Sequence, residues 1–467
     1  MILPAKTLPM NDYFRHAASF RDSAGFVFRS QGLYYRQVNQ SYASNYDLLI
    51  DSGLYGILVV KKLLIPHKEI AENLSGVGAC YKTLLPEQLH FVSYPYEWCF
   101  DQLKDAALLT LQVLTIAMDH GMILKDATAF NIQFLHGRPI FIDTLSFEKY
   151  DASKAWIAYR QFCECFLFPL LLGNYLETGL QKLLMVWPEG IPVQMTAGML
   201  PWRSGFNLGV WLNVFLQNRV GAAKKSVRPT PASFSKEKLL NLAEHLRTTI
   251  GKLKLNARTV SSWSNYYEET ILSNEYLQSK EKIFSDWIED IHTESALDLG
   301  CNDGYFSKMI ARRTPSVVAS DFDELCINRL YQAVKTDKIH NILPLCIDIA
   351  NPSPAIGFRN EERTAFLQRG QSQLVIALAL IHHLVLSHNI PFSLLAEQFA
   401  ALTTQFLIIE FVPLTDEKSK QLVADKTSFH QPYDESAFEQ CFGHYFVIEQ
   451  KQIIPGSQRV LYRMQKK

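Results

Sequence analysis

Residues 296 to 304 read Ala-Leu-Asp-Leu-Gly-Cys-Asn-Asp-Gly, and a helical pattern from Tyr305 to Arg312 follows. A short apolar strand that ends in an acid and enters a glycine turn brings bare backbone up to a nucleotide-like cofactor. Glycine at positions 300 and 304 permits backbone conformations and a close approach that a Cβ would block. The helix that opens next offers unpaired N–H groups to a ligand. Asp298 adds a charge at the strand end. Two cofactors commonly use such a turn. A dinucleotide fingerprint wants glycine at the third and sixth positions, where this chain has Asn302 and Tyr305, so a dehydrogenase reading weakens. Further acids end the strands that follow. The run Ser316 to Asp321 closes on a carboxylate, an acceptor-only group with room for both hydroxyls of a ribose; Asp321 takes that role, with Asp323 as a substitute. Ile342 to Ile347 ends in Asp348, Leu374 to Leu380 runs into Ile381-His382-His383-Leu384, and Phe406 to Ile409 is followed by Glu410. His382 and His383 are candidate bases because imidazole titrates near neutrality. Being adjacent, they cannot both point the same way on a strand or a helix. Glu410 is the other candidate, as a base or as a carboxylate that orients the substrate.

Each of these residues also has a bland reading. An Asp at a strand end is often a helix cap, and His383 at a helix start is as readily a structural histidine. Cys301 reads as a small buried residue, because nothing nearby would lower its pKa. The coincidence of acids at successive strand ends is what carries weight. The string Asp298-x-Gly300-x-x-x-Gly304 resembles motif I of the class I S-adenosylmethionine (AdoMet) methyltransferases, in which an acid-x-Gly-x-x-x-Gly turn is common. The His382-His383 segment resembles that family's motif IV, which faces the methyl group and the acceptor. The resemblance implies AdoMet as cofactor, bound by Asp298, Gly300, Asn302, Gly304, Asp321 and Asp348, the last contacting the adenine amino group. Transfer from a sulfonium is an in-line displacement, so catalysis is largely positioning and desolvation. A base is needed only for an alcohol or ammonium acceptor. No metal cluster is visible in this half.

These residues require a scaffold. Strands alternating with helical patterns such as Pro391 to Leu402 predict a mostly parallel sheet with helices on both faces. The tail, Tyr445 to Glu449 and then Arg459 to Met464, supplies two strands for an antiparallel edge hairpin. Ligands of such sheets bind beyond the carboxyl ends of the strands, where the acids stand. The expected fold is therefore an α/β, Rossmann-like class I methyltransferase domain with a seven-stranded sheet over residues 296–467. A chain of 467 residues exceeds what one core usually holds, so a second domain must lie upstream. The boundary is expected at 218–238, where Lys224, Lys225 and Arg228 precede Pro229-Thr-Pro231; charge, proline and small polar residues make a solvated connector rather than a core. Residues 239–295 are expected as a helical extension, continuing a helical pattern from Ser235 to Ile250 and ending in a helix from Glu275 to Ile291. Between them, Trp263, Tyr266 and Tyr267 would lid the cofactor pocket or pack the core.

Residues 1–217 carry a second signal. Apolar positions Ala107, Leu108, Leu111, Leu114 and Met118 predict a buried helix that breaks at Gly121. There follow Lys125-Asp126, then Asn131, a turn at His136-Gly137-Arg138, and a strand ending in Asp143. An Asp, an Asn five residues on, and an Asp closing the next hairpin resemble the catalytic loop and metal-binding aspartate of the protein-kinase-like fold. There those residues are the base and two Mg²⁺ ligands. The expected domain is α+β and kinase-like, with Lys125, Asp126, Asn131 and Asp143 as a second site and ATP with Mg²⁺ as its implied ligand. The departures count too. Leu124 replaces histidine, Thr144-Leu145 replaces Phe-Gly, and no glycine-rich loop stands in the expected place: Arg29-Ser-Gln-Gly32-Leu-Tyr-Tyr35 could be a hairpin but has one glycine. Lys61 and Lys62 could supply a phosphate-binding lysine but read more simply as an exposed end.

The runs Ser93-Tyr-Pro-Tyr-Glu-Trp98, Leu124-Lys-Asp126, Ile142-Asp-Thr-Leu-Ser-Phe147 and Ile409-Glu-Phe-Val-Pro413 together resemble a bacterial two-domain family of class I methyltransferases labelled nodulation-protein-like. That resemblance implies a cytoplasmic methyltransferase with an undefined acceptor, and it joins Glu97 to the second site. Three readings remain: a methyltransferase whose upstream domain binds nucleotide or presents the acceptor, a bifunctional phosphotransferase and methyltransferase, and a non-catalytic scaffold. Lysine plus arginine equals aspartate plus glutamate, 46 of each, so there is no electrostatic case for nucleic acid or an anionic membrane. Motif IV also lacks the Asn/Asp-Pro-Pro-Tyr pattern of nucleic-acid amine methylation. A small molecule or protein side chain is the expected acceptor, through oxygen or nitrogen. Apolar runs such as Phe166 to Leu172 fall short of a membrane span. The start of the chain has no apolar core of signal-peptide length. Scattered cysteines without zinc-ligand spacing read as free thiols.

Overall fold

The computed structural model describes residues 14–219, 235–256, 274–424 and 432–467. Strands β1 (Phe14–Arg15), β2 (Gly25–Ser30), β3 (Leu33–Asn39), β4 (His67–Ile70) and β5 (Cys80–Pro86) form an antiparallel sheet in the order β1-β2-β3-β5-β4. The expected hairpin is β2–β3. Its two-residue turn uses Gln31 and Gly32 at φ 49° and 80°, the left-handed pair that matches the twist of antiparallel strands. Helices Ala43–Asp51 and Leu54–Val60 cross from β3 to β4.

The helix Phe100–Asp119 is buried along most of its length, as its apolar spacing demands. Gln102 returns its side chain to the Cys99 N–H at 3.0 Å, and Gly121 at φ 74° turns the chain out of the helix. Strands β6 (Met122–Leu124) and β9 (Phe147–Lys149) pair, and β7 (Ile132–Leu135) and β8 (Arg138–Phe141) make a hairpin about His136-Gly137. The Asp126 loop and Asp143 therefore lie between two small antiparallel ladders.

The second sheet has seven strands: β10 (Ser295–Leu299), β11 (Ser316–Asp321), β12 (Ile342–Cys346), β13 (Ser372–Ala377), β14 (Thr403–Phe411), β15 (Phe446–Ile453) and β16 (Val460–Lys466). Their order is β12-β11-β10-β13-β14-β16-β15. The first five are parallel, β16 runs antiparallel to β14, and β15 runs antiparallel to β16. Buried on both faces, the parallel strands read as apolar runs rather than alternating ones. The alternation of strand and helix, the parallel core and the antiparallel edge hairpin all match the sequence-based expectation.

The domain boundaries differ from expectation. Ser235 caps a helix spanning Lys236–Gly251, so the end of the supposed linker is already helical. That helix packs on Phe100–Asp119, and Lys104 closes its last turn by donating to the carbonyls of Gly251 and Leu253 at 2.9 and 2.7 Å. Residues 236–251 thus belong to the upstream unit, not to an extension of the downstream one. Amphipathicity declared the helix but not its neighbour. Lys224, Lys225, Arg228 and the Trp263, Tyr266 and Tyr267 cluster lie outside the described residues. The helix Asn274–Ile288 does join the downstream unit: Phe284 meets Phe306 edge-on at 5.0 Å.

The two units share one continuous apolar core. Polar contacts clamp them at two places. Asp101 and Asp105 on the long helix accept hydrogen bonds from Asn328 (3.1 Å) and Tyr331 (2.7 Å) of the helix Glu324–Thr336, and Lys335 pairs with Asp105. Glu97, 1% exposed, is paired with Arg369 and accepts from Ser353. Glu97 is accordingly an interface residue and not part of a site with Asp126 and Asp143.

Candidate active site

The glycine turn leaves β10 at the carboxyl edge of the parallel sheet. Gly300, Asn302 and Gly304 adopt φ of 72°, 52° and 80°. A Cβ on Gly304 would stand 2.4 Å from Leu330 Cδ1, and one on Gly300 would stand 3.2 Å from Leu380 Cδ1. Both glycines are therefore required by conformation and by space. The turn is tied to β11: the N–H groups of Gly300 and Cys301 donate to the Ser320 carbonyl at 2.8 and 3.0 Å. A tight turn with little side chain results.

Asp321 ends β11 beside that cradle, 8% exposed. Its two oxygens accept from the backbone N–H groups of Asn302 (2.9 Å) and Asp323 (3.0 Å). Burial raises its carboxyl to about 6 against the opposing pull of those donors. Asp323 is the helix cap of Glu324–Thr336, accepting from Leu325 N–H at 2.9 Å. Asp348, half-buried after β12, accepts from Ala350 N–H at 2.9 Å.

Asp298 lies within electrostatic reach of Asp321. Its carboxylate, 3% exposed, accepts from Ser307 Oγ at 2.6 Å in the first turn of the helix Tyr305–Ile310. It ties the end of β10 to the helix that follows the turn. Burial raises its carboxyl to about 6. Asp298 therefore holds its proton more tightly in the fold than in the unfolded chain. Its contribution favours the fold fully below about pH 4 and is lost as pH rises through 6. Asp298→Asn, which keeps an acceptor for Ser307, is expected to be more stable than wild type at pH 8 by up to about 3 kcal/mol. The difference should shrink as pH falls toward 4. Thermal melts of both proteins across that range check it, and a pH-independent difference would refute it.

His382 and His383 follow β13 with their rings 4.0 Å apart. His382 is 1% exposed and its Nδ1 has no hydrogen-bond partner among the described residues. Burial pushes His382 well down and His383 to about 4, so both imidazoles are neutral at pH 7. Arg459 adds to both shifts.

Glu410 departs from its expected catalytic role. It is fully buried at the end of β14, accepts from Tyr276 Oη at 2.7 Å, pairs with Lys280 Nζ and lies 3.5 Å from Arg459. Burial pushes its carboxyl up, but Lys280 and Arg459 outweigh this and hold it below the usual range. Arg459 is itself held by Asp416 at 2.8 Å. A carboxylate so engaged anchors the helix Asn274–Ile288 and the edge hairpin to the sheet. No local pattern marks Tyr276, Lys280 and Arg459, which lie 130 residues or more before Glu410 or well after it, just ahead of β16. Cys301 is buried, and burial pushes its thiol up, as expected of a packing residue.

Upstream, the structure brings Asp126, Asn131 and Asp143 together. Asn131 Nδ2 donates to Ser146 Oγ at 3.0 Å, and Ser146 Oγ donates to Asp143 Oδ2 at 2.6 Å. Burial raises the Asp126 carboxyl, with the Asp143 charge adding to it. Burial also acts on Asp143, but Arg36 of β3, together with Ser146 and Leu145, lowers it below the ordinary range. Lys125 pairs with Asp22 at 3.0 Å, and its charge adds to the lowering of Asp143. The cation in direct contact with Asp143 is Arg36, which sequence reasoning overlooked; Lys61 and Lys62 are exposed elsewhere, beyond the helix Leu54–Val60. Among the described residues no three His, Cys, Asp or Glu side chains converge to hold a metal ion. All eight cysteines are free thiols. No described helix is long and apolar enough to cross a membrane.

No family model matches the chain. It is 30% identical over 465 residues to nodulation protein NoeA of Rhizobium meliloti (strain 1021), covering 97% of this chain and 96% of that one. Over 101 residues, 21% of this chain and 12% of the relative, it is 34% identical to the O-antigen chain terminator bifunctional methyltransferase/kinase WbdD of Escherichia coli. Among solved structures, the N-methyltransferase NodS of Bradyrhizobium japonicum WM9 in complex with S-adenosyl-L-homocysteine aligns at 12% identity. It covers 44% of this chain and 99% of that one, with a TM-score of 0.31, which adds nothing to the topology read from the sheet. The near full-length match, joined to the glycine cradle and the β12-β11-β10-β13-β14-β16-β15 sheet, establishes that the chain belongs to the NoeA family of nodulation proteins and carries a class I AdoMet-dependent methyltransferase domain.

Proposed function

We propose that the protein transfers the methyl group of AdoMet to a small-molecule or protein acceptor, on oxygen or nitrogen. The observation that carries this is the cradle. Gly300, Asn302 and Gly304 hold three left-handed backbone positions, the two glycines with a Cβ crowded out by Leu380 and Leu330, and Asp321 stands at the adjacent strand end. These residues fit the cofactor: the bare turn admits the methionine part, the Asp321 carboxylate accepts the ribose hydroxyls, and Asp348 reaches the adenine. Bound there, AdoMet supplies an electrophilic methyl on a sulfonium. The chain's own part is to orient the acceptor in line, exclude water and receive a proton where the acceptor carries one. His383, held neutral, is the group proposed to accept that proton, with His382 packed behind it as a positioning residue. Glu410 is proposed as a structural counter-ion.

The upstream domain is proposed to hold the acceptor or a nucleotide. Its strand order, the helices between β3 and β4, and the Asp126, Asn131 and Asp143 constellation support a kinase-like ancestry. Phosphoryl transfer is not favoured, because Arg36 and Ser146 occupy Asp143. Calorimetry with AdoMet, followed by transfer from methyl-labelled AdoMet into a fractionated lysate and mass spectrometry of the product, tests the reading. One-to-one binding and a labelled product are expected. No binding heat from the wild-type protein would sink it.

A further inference from the structure

A large cleft of about 1190 Å³ opens between the two domains, far from the cradle. Its walls come from the end of the helix Leu54–Val60, the helices Phe100–Asp119 and Lys236–Gly251, the β7–β8 turn, and residues 334–340 of the methyltransferase domain. Residues 334–340 lead into the amino end of β12, whereas the cradle opens at the carboxyl ends. A ligand in the cleft therefore cannot be the methyl acceptor.

The lining is strongly basic in a chain with no net charge. Six lysines and arginines face it against two acids, Asp105 and Glu244. Each acid already has a cation: Lys335 pairs with Asp105, and Arg247 with Glu244 at 2.7 Å. Lys61, Lys62, Arg138 and Lys338 have no carboxylate partner among the described residues. Four unneutralised cations converging on one concavity repel one another, and walls of low dielectric strengthen that field. An anion would relieve it.

The backbone is shaped for the same place. Lys62, His136 and Lys338 all line the cleft and all adopt left-handed φ, of 57°, 52° and 54°. All three are turn positions: Lys62 follows the helix Leu54–Val60, His136 sits in the β7–β8 turn and Lys338 follows the helix Glu324–Thr336. At the base of the cleft the turn of one domain abuts the other: a Cβ on Gly137 would stand 2.9 Å from the Ile339 carbonyl oxygen. The floor between the charges is apolar, with Leu108, Ile116 and Pro139, and would accept an organic body beside a charged group.

We propose that this cleft binds a small, multiply charged phosphate ester or anhydride, of pyrophosphate or longer, bridging Lys61 and Lys62 of one domain to Lys338 of the other. Lysine serves phosphate as a point charge without demanding a planar bidentate geometry. Spanning both domains, the ligand stabilises their closed arrangement.

The test is calorimetry on the full chain with inorganic tripolyphosphate and, separately, with ADP. One-to-one binding of tripolyphosphate is expected, weakened when salt is raised from 50 to 200 mM as charge screening requires. Lys61→Ala/Lys338→Ala should lose at least about ten-fold in affinity, or 1.4 kcal/mol, while AdoMet heat and melting temperature stay at wild-type values. ADP binding that falls in the same double variant identifies a nucleotide source for the same phosphate chemistry. The proposal is overturned if neither probe binds, or if the double variant binds as wild type does. It is equally overturned if ADP binding persists in the double variant but is lost in Asp143→Ala, or if a long polyanion such as duplex DNA binds more tightly than tripolyphosphate. Failure of AdoMet binding would count against the methyltransferase reading alone.

Discussion

Arg369→Ala is expected to destabilise the protein by about 3–5 kcal/mol, the loss typical of breaking a buried ion pair from one side. Arg369 is 9% exposed and Glu97 is 1% exposed. The guanidinium pairs with both oxygens of Glu97, donates to the carbonyls of Val92 and Thr364 at 2.6 and 2.8 Å, and stacks on Tyr94 at 4.3 Å. Removing it leaves Glu97 buried with the Tyr94 N–H at 2.9 Å and the Ser353 hydroxyl as its partners, and neither carries a charge. Because Glu97 belongs to one domain and Arg369 to the other, the damage lands on the seam. Glu97→Gln/Arg369→Met, which removes both charges and keeps most of the volume, should recover a large part of the loss. Urea denaturation of wild type, single and double variants measures it. A single variant within 1 kcal/mol of wild type would show that the seam depends on the apolar core alone.

Asp321→Ala is expected to cut AdoMet affinity by on the order of 10²–10⁴-fold, since two hydrogen bonds to an ionised group are lost at about 1.5–3 kcal/mol each. Part of that loss comes through the turn, because the same carboxylate holds the N–H of Asn302 and of Asp323. Asp321→Asn keeps one acceptor oxygen and should fall between wild type and alanine. A pH dependence follows from burial. The Asp321 carboxyl lies at about 6, and only its ionised form offers acceptors to both ribose hydroxyls without a competing proton. Affinity should therefore rise as pH increases from 5 to 7.5 and level off above, and this limb should flatten in Asp321→Asn. Calorimetry at five or six pH values resolves the two curves. Wild-type affinity in Asp321→Ala would remove the residue from the site.

Much of the methyltransferase domain was legible in order along the chain. The glycine turn, the acids at the ends of β11 and β12, and the histidines after β13 are local features. Glycine and Asn conformations, strand runs and helix caps are set by residues within a few positions of one another. The two-residue β2–β3 turn and the helix break at Gly121 were readable for the same reason. Asp323 shows the limit of that reading. As an acid two residues past a strand it served equally as ribose acceptor or helix cap, and only the Leu325 N–H at 2.9 Å assigned it to the cap.

By itself, the sequence determined a seven-stranded α/β domain with a cofactor cradle at Gly300 to Gly304, an upstream α+β domain, and a chain without net charge to attract nucleic acid. The tertiary structure alone decided which charged groups are free to act. Glu410 was a candidate base until Lys280, 130 residues away, and Arg459, just ahead of β16, claimed its oxygens. Glu97 left the second site for Arg369, 272 residues on, Asp143 closed on Arg36, and the helix Lys236–Gly251 joined the upstream domain. The physical reason is common to all four. Backbone conformation is dictated by neighbours in sequence. The free energy of a buried charge depends instead on partners across the fold, and such pairings leave no periodicity in the chain.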